Sequence, residues 1–101
     1  MSRTPIHPGT VLGEELTEIG ISAAELARQL KIPTNRITQI IGGHRNVTAD
    51  TALRLGKWFG TSAVFWLNLQ KSYELRLAQK KIGKELNDIP SRNQDMVHAS
   101  W

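Results

Sequence analysis

The 101-residue chain has no cysteine. Disulfides, thiolate metal sites and cysteine catalysis are therefore excluded, as is typical of a reducing compartment. No apolar run approaches the roughly 20 residues that a membrane-spanning helix needs, and no basic-then-apolar leader precedes the first patterned segment. These absences predict a soluble cytoplasmic protein with no membrane partner. Internal repeats and strand-like alternation are also missing, so the expected fold class is all-α. A chain of this length makes one domain with a modest core of about five short helices.

Several chemistries lack their residues. His7, His44 and His98 are far apart, and no His-x-x-x-His spacing occurs, so neither a metal nor a cofactor is expected. Glu14 and Glu18 share a helix face at i, i+4, but nothing implies an apolar pocket around them. They read as a solvated like-charge pair, not an acid and a base. Gly9, Gly13 and Gly20 do not form a phosphate loop. No catalytic residue is assigned, and the chain is not expected to be an enzyme.

Negative charge is missing where positive charge gathers. Residues 1–27 carry Arg3 against Glu14, Glu15, Glu18 and Glu25, a net of −3. Residues 28–57 carry Arg28, Lys31, Arg36, Arg45, Arg54 and Lys57 against Asp50 alone, a net of +5 within an overall +4. A solvated basic face would show the same composition. What gives the charge direction is the pattern it surrounds.

Residues 22–43 spell two short helices about a tight turn. Ser22 and Glu25 have the spacing of a capping box, followed by Ala23, Leu26, Ala27 and Leu30 on one apolar stripe. Pro33 disfavours helical geometry at Ile32 and suits the first turn of a new helix, so one helix should stop and another start there. Ile37, Ile40 and Ile41 face inward in this second helix, leaving Asn35, Arg36, Thr38 and Gln39 outward, and Gly42-Gly43 ends it. This is a helix-turn-helix with a polar reading face inside the basic segment. Double-stranded DNA is the expected partner.

The flanking segments complete a helical domain. Met1–Ile6 reads as a loose arm, and Pro8 opens a helix that should bury Val11, Leu12, Leu16 and Ile19 before Gly20. After a loop over 44–47, Thr48 caps a helix with Asp50 in its first turn, burying Ala52, Leu55 and Phe59 and closing at Gly60. Thr61-Ser62 caps a last helix from about Ala63 to Gln79, with Trp66, Leu69, Tyr73 and Leu77 as its apolar stripe. Beyond Leu77 apolar residues are few and show no clear period. A helix-turn-helix domain over 1–78 and an extension over 79–101 are expected, the extension helical as far as Leu86 or flexible.

Leu26-Ala27, Ile37, Gly43 and the helix from Thr48 to Gly60 resemble the lambda-repressor-like, or XRE-type, helix-turn-helix domain. His7-Pro8-Gly9, the run Thr48-Ala49-Asp50-Thr51-Ala52-Leu53-Arg54-Leu55, Phe59-Gly60-Thr61-Ser62 and Phe65-Trp66-Leu67-Asn68-Leu69-Gln70 narrow the resemblance to HigA (VapI-type) antitoxins, over about residues 6 to 78. The resemblance implies a bacterial protein, nucleoid-associated when DNA-bound, that represses its own operon at a palindromic operator. It further implies neutralisation of a HigB toxin, a RelE-like ribonuclease that cuts messenger RNA on the ribosome. The alternatives are a stand-alone XRE-type regulator without a toxin, and an interaction module that has lost DNA binding. Ala63 and Val64 replace a proline and an acidic residue usual in the family, and Ala23 replaces a phosphate-bonding glutamine of phage repressors.

In this fold the second motif helix enters the major groove. Thr34, Asn35, Arg36, Thr38 and Gln39 are therefore the expected base readers: Asn35 and Gln39 suit adenine N6 and N7, and Arg36 suits guanine O6 and N7. Ser22, His44, Arg45 and Asn46 are the expected phosphate contacts. One unit spans about one half-site, so a homodimer is expected, with Trp58, Trp66 and Tyr73 as candidate interface residues. The core has the stronger claim on each of them, because five short helices need large side chains to fill their centre; Trp58 is the first interface candidate, since it sits beside Phe59 and cannot share its inward direction. Arg54 and Lys57 are weaker phosphate candidates, because a helix-four arginine can instead pair with a carboxylate of its own chain.

Overall fold

The computed structural model describes residues 5–92, and all regular structure in that span is helical. Five helices follow in order: α1 (Pro8–Ile19), α2 (Ala23–Leu30), α3 (Thr34–Ile41), α4 (Ala49–Phe59) and α5 (Ala63–Asn87). The core comprises Leu12 and Leu16 of α1, Leu26, Ala27 and Leu30 of α2, Ile37 and Ile40 of α3, Val47 of the following loop, Ala52 and Leu55 of α4, and Trp66 of α5. Each helix contributes at the spacing of its buried stripe.

Local chemistry sets most of the ends. Ser22, Thr48 and Ser62 each accept a hydrogen bond from the backbone N–H three residues on, capping α2, α4 and α5. Gly20 and Gly60 close α1 and α4 at φ 78° and 77°, a left-handed conformation that glycine adopts without steric cost. The capping box is only half formed. Glu25 turns its carboxylate onward to Arg28 and Gln29 instead of back to Ser22. α2 also ends earlier than Pro33 alone demands, because Lys31 takes the left-handed cap at φ 62°. Pro33 is then the extended N-cap of α3, which has no side-chain cap.

Burial departs from the expected stripes in several places. Ile19 is 47% exposed: the chain reverses at Gly20, and Ile21 packs against the core instead. Val11 and Phe59 are partly buried, Phe59 lying against Trp66 at the edge of the core with ring centroids 5.4 Å apart. Leu77 is exposed, as the stripe on α5 leaves the core after Tyr73. α5 itself runs to Asn87, following the helical alternative expected as far as Leu86, and crosses a non-helical φ/ψ at Ile82. The molecule is consequently elongated, with extents of 56 × 25 × 22 Å.

α3 sits unusually close to α1. A Cβ built on Gly9 would overlap the backbone carbonyl of Ile40, so only glycine permits this approach. Pressing Ile37 and Ile40 into the core fixes which way the opposite face of α3 points.

Candidate nucleic-acid interface

Thr34, Asn35, Thr38 and Gln39 are all exposed on the outer side of α3, as one face of an eight-residue helix whose other face is locked inside. Thr38 donates its hydroxyl to the Asn35 carbonyl at 3.2 Å, which limits its rotation. Asn35 and Gln39, at i and i+4, form a pair of amides side by side. Their donors and acceptors match the adenine edge in the major groove.

Arg36 is placed differently from its neighbours. It is half-buried, and its Nη1 donates to Asp50 Oδ1 at 3.1 Å. The same oxygen accepts from Arg54 Nε at 2.7 Å, and Arg54 Nη1 donates to the Leu30 carbonyl at 2.8 Å. The end of α2, the first turns of α4 and the third residue of α3 are thereby braced together. Arg54 above all, with help from Arg36, holds the Asp50 carboxyl below its ordinary pKa. Arg36 thus faces a shallow hollow of about 370 Å³ shared with Arg45, Asn46, Thr48, Asp50 and Thr51.

His44, Arg45 and Asn46 are exposed on the loop between α3 and α4, beside this hollow. The loop is held from beneath. Val47 is buried, and its N–H donates to Gln70 Oε1 of α5 at 2.7 Å, while Gln70 Nε2 donates to Glu74 at 2.8 Å. Ser22 is exposed at the start of α2, with its hydroxyl already engaged in the cap. The structure therefore gathers Arg36, Arg45 and Asn46 around the hollow, leaves His44 next to them on the loop with its ring beside Gly42, and sets Ser22 on a separate helix end.

Three residues of this framework escaped the sequence reading. Gln70 carried a signal: it stands four residues after Trp66 and three before Tyr73, a polar side chain on an apolar stripe. His7 had a weaker one, preceding the Pro8 that opens α1. Its Nδ1 accepts from the Gly9 N–H at 2.8 Å, making it the N-cap of α1, and its ring meets Tyr73 edge-on at 4.9 Å. Burial lowers the His7 pKa, the Arg45 backbone opposes this, and nearby His44 adds to it. Asp50 was read only as a charge suited to the helix dipole, and its pairing with Arg36 had no local signal. His98 lies outside the described residues, as do the N-terminal four residues of the expected arm and the last part of the expected tail.

The aromatic residues expected at an interface separate. Trp66 is a core residue, 1% exposed, because α5 lays it between α1 and α4 rather than outward. Tyr73 is partly buried against His7. Trp58 is partly exposed, with its Nε1 donating to Gln29 Oε1 at 2.6 Å across α2 and α4. Arg54 is an intramolecular brace, as the pairing with Asp50 shows.

No family model matches the chain. Individual relatives do. Virulence-associated protein I of Dichelobacter nodosus is 47% identical over 76 residues, covering 74% of this chain and 70% of that protein. The solved structure of an addiction module antidote protein of the HigA family from Coxiella burnetii is 52% identical and superposes with a TM-score of 0.85. It covers 88% of this chain, which in turn covers 98% of that one. The chain belongs to the HigA antitoxin family. Pseudomonas aeruginosa antitoxin HigA, solved with the higBA promoter, is 44% identical at a TM-score of 0.81, covering 87% of this chain and 97% of its own. The relatives thus include antitoxins, one of them solved with promoter DNA, and an HTH-type transcriptional regulator of Escherichia coli. As in those structures, the fold is a helix-turn-helix domain. No helix among the described residues is long and apolar enough to cross a membrane.

Proposed function

We propose that the protein is an antitoxin that represses its own operon by binding a palindromic operator as a homodimer, and that it neutralises a HigB-type messenger-RNA-cleaving toxin. The observation that carries the DNA reading is the outer face of α3, where Thr34, Asn35, Thr38 and Gln39 stand exposed together beside the Arg45–Asn46 loop. In this reading the amides of Asn35 and Gln39 read bases, with Thr34 and Thr38 alongside, while Arg36, turned toward Asp50 and the hollow rather than outward with them, joins His44, Arg45, Asn46 and the α2 terminus at Ser22 on the phosphate side. A relative solved with its promoter supports the same use of the fold.

Dimerisation is supported by the projecting half of α5. Leu75, Ile82 and Leu86 of this half, and Ile89 just past its end, are exposed at spacings of seven, four and three, outside the protomer core. Among the described residues none of the four belongs to the core or is packed against it, and exposed apolar side chains of this kind suit a second copy. The toxin partnership rests on the family and on the resemblance of residues 6 to 78.

The test is titration of the purified protein against its own promoter fragment and a scrambled fragment at two salt concentrations. Selective binding at moderate salt is expected, with affinity falling as salt rises. Equal binding to both fragments would refute the repressor reading. Co-expression with the toxin encoded beside it is expected to yield a stable complex; a chain with no such neighbour would instead be a stand-alone regulator.

A further inference from the structure

Within residues 28–57, six cations face one carboxylate, Asp50. The fold places that carboxylate at the DNA face, where it accepts from Arg36 at 3.1 Å and from Arg54 at 2.7 Å. The hollow around it has the makings of a sequence-blind anion trap: Arg36, Arg45, Asn46 and the start of α4 at Thr48. Asp50 stands in that hollow as an internal substitute for a phosphate.

We propose that Asp50 is a specificity-determining residue, which suppresses binding to random DNA by occupying Arg36. The inference rests on the DNA-binding reading above. A random duplex offers only backbone charge, and to engage Arg36 its phosphate must displace a carboxylate already in place. An operator also offers base edges to Asn35 and Gln39, so its binding depends less on Arg36. The Asp50 side chain is 58% exposed and the Arg36 side chain 28%. An ion pair this open to water is exchangeable, unlike a buried one. Arg54 is not freed in the same way, because its Nη1 remains tied to the Leu30 carbonyl.

A purely structural role for Asp50, as a negative charge in the first turn of α4, predicts altered stability with unchanged DNA selectivity. The experiment measures binding of the full chain to its promoter fragment and to random duplex across a salt series, for wild type, Asp50→Asn, Asp50→Ala, Asp50→Glu, Arg36→Ala and the double variant Asp50→Asn/Arg36→Ala. Both charge-removing variants should bind random DNA about five- to tenfold tighter near 0.1 M salt, with a salt slope steeper by about one, as one added phosphate contact requires. Promoter binding should gain less, so the selectivity ratio falls. Asp50→Glu should stay near wild type, and Arg36→Ala should abolish the effect of Asp50→Asn. Thermal melting of each variant separates lost folding from altered binding. Unchanged random-DNA affinity in a folded Asp50→Asn and Asp50→Ala overturns the proposal, as does an effect that persists without Arg36. Equal binding of wild type to both fragments would overturn the DNA-binding reading itself, and with it this inference.

Discussion

At the scale of single residues, the orientation of the reading face depends on atoms that never meet DNA. Gly9 lets the Ile40 carbonyl lie where any Cβ would be, so Gly9→Ala must push α3 away from α1. Overpacking of this kind costs roughly 1–3 kcal/mol, and here the clash is with backbone, which cannot rotate aside. Urea unfolding should show a loss at the upper end of that range. Gly13→Ala, whose Cβ would meet only the Ile41 methyl at 3.3 Å, should change stability far less. His7 gives the fold a dependence on pH. Its Nδ1 must be unprotonated to accept from Gly9, and its ring lies among Tyr73, His44 and the Arg45 backbone. Burial lowers its pKa in the folded state, so the unfolded chain binds more protons just below the ordinary histidine value. Stability should be complete above about pH 6.5 and decline as pH falls below it. Unfolding measured at two pH values on either side should show this decline, and His7→Asn, which keeps a cap acceptor without titrating, should lessen it.

Among the elements, α5 does two jobs, and only its first half is part of the core. Trp66 is sealed between α1 and α4, close to Phe59 and Phe65, so Trp66→Ala should cost about 3–5 kcal/mol in denaturant unfolding. Gln70, one turn further on, carries the Val47 N–H and so ties the phosphate-side loop to this helix. The first four helices were legible in the sequence because their ends are local events: Ser22 and Thr48 cap, Gly20 and Gly60 reverse the chain, and isoleucines at 37, 40 and 41 mark the inner face of α3. The polar outer face was legible by the same periodicity. What could not be read came from distance along the chain. Asp50 meets Arg36 across 14 residues and Val47 meets Gln70 across 23, so no local spacing announces either pair. Ile19 and Ile21 exchanged places because periodicity gives a face, not the point at which a turn carries the chain off it. Trp66 took the core place that the sequence favoured over an interface, because so small a domain needs large side chains at its centre.

For the molecule as a whole, the extent of 56 Å along one axis places the second half of α5 outside the packed body. A helix there gains nothing from the protomer core, yet it exposes Leu75, Ile82 and Leu86 to water, as the chain does Ile89 just past its end. Burial of this seam against a second copy would explain both its composition and its length, and it would join two reading heads into one binder. The consequence is measurable apart from any effect on folding, because none of the four residues belongs to the core. Leu75→Lys with Leu86→Lys should leave the thermal transition of the five-helix body largely in place while sedimentation shifts from dimer to monomer. With the two heads unlinked, the second half-site is no longer reached at high effective concentration, and affinity for the full operator should fall about 10²-fold or more. Affinity for an isolated half-site should barely move. If instead the double variant stayed dimeric, the seam would not be what joins the protomers, and the partly exposed Trp58 on α4 would be the next surface to change.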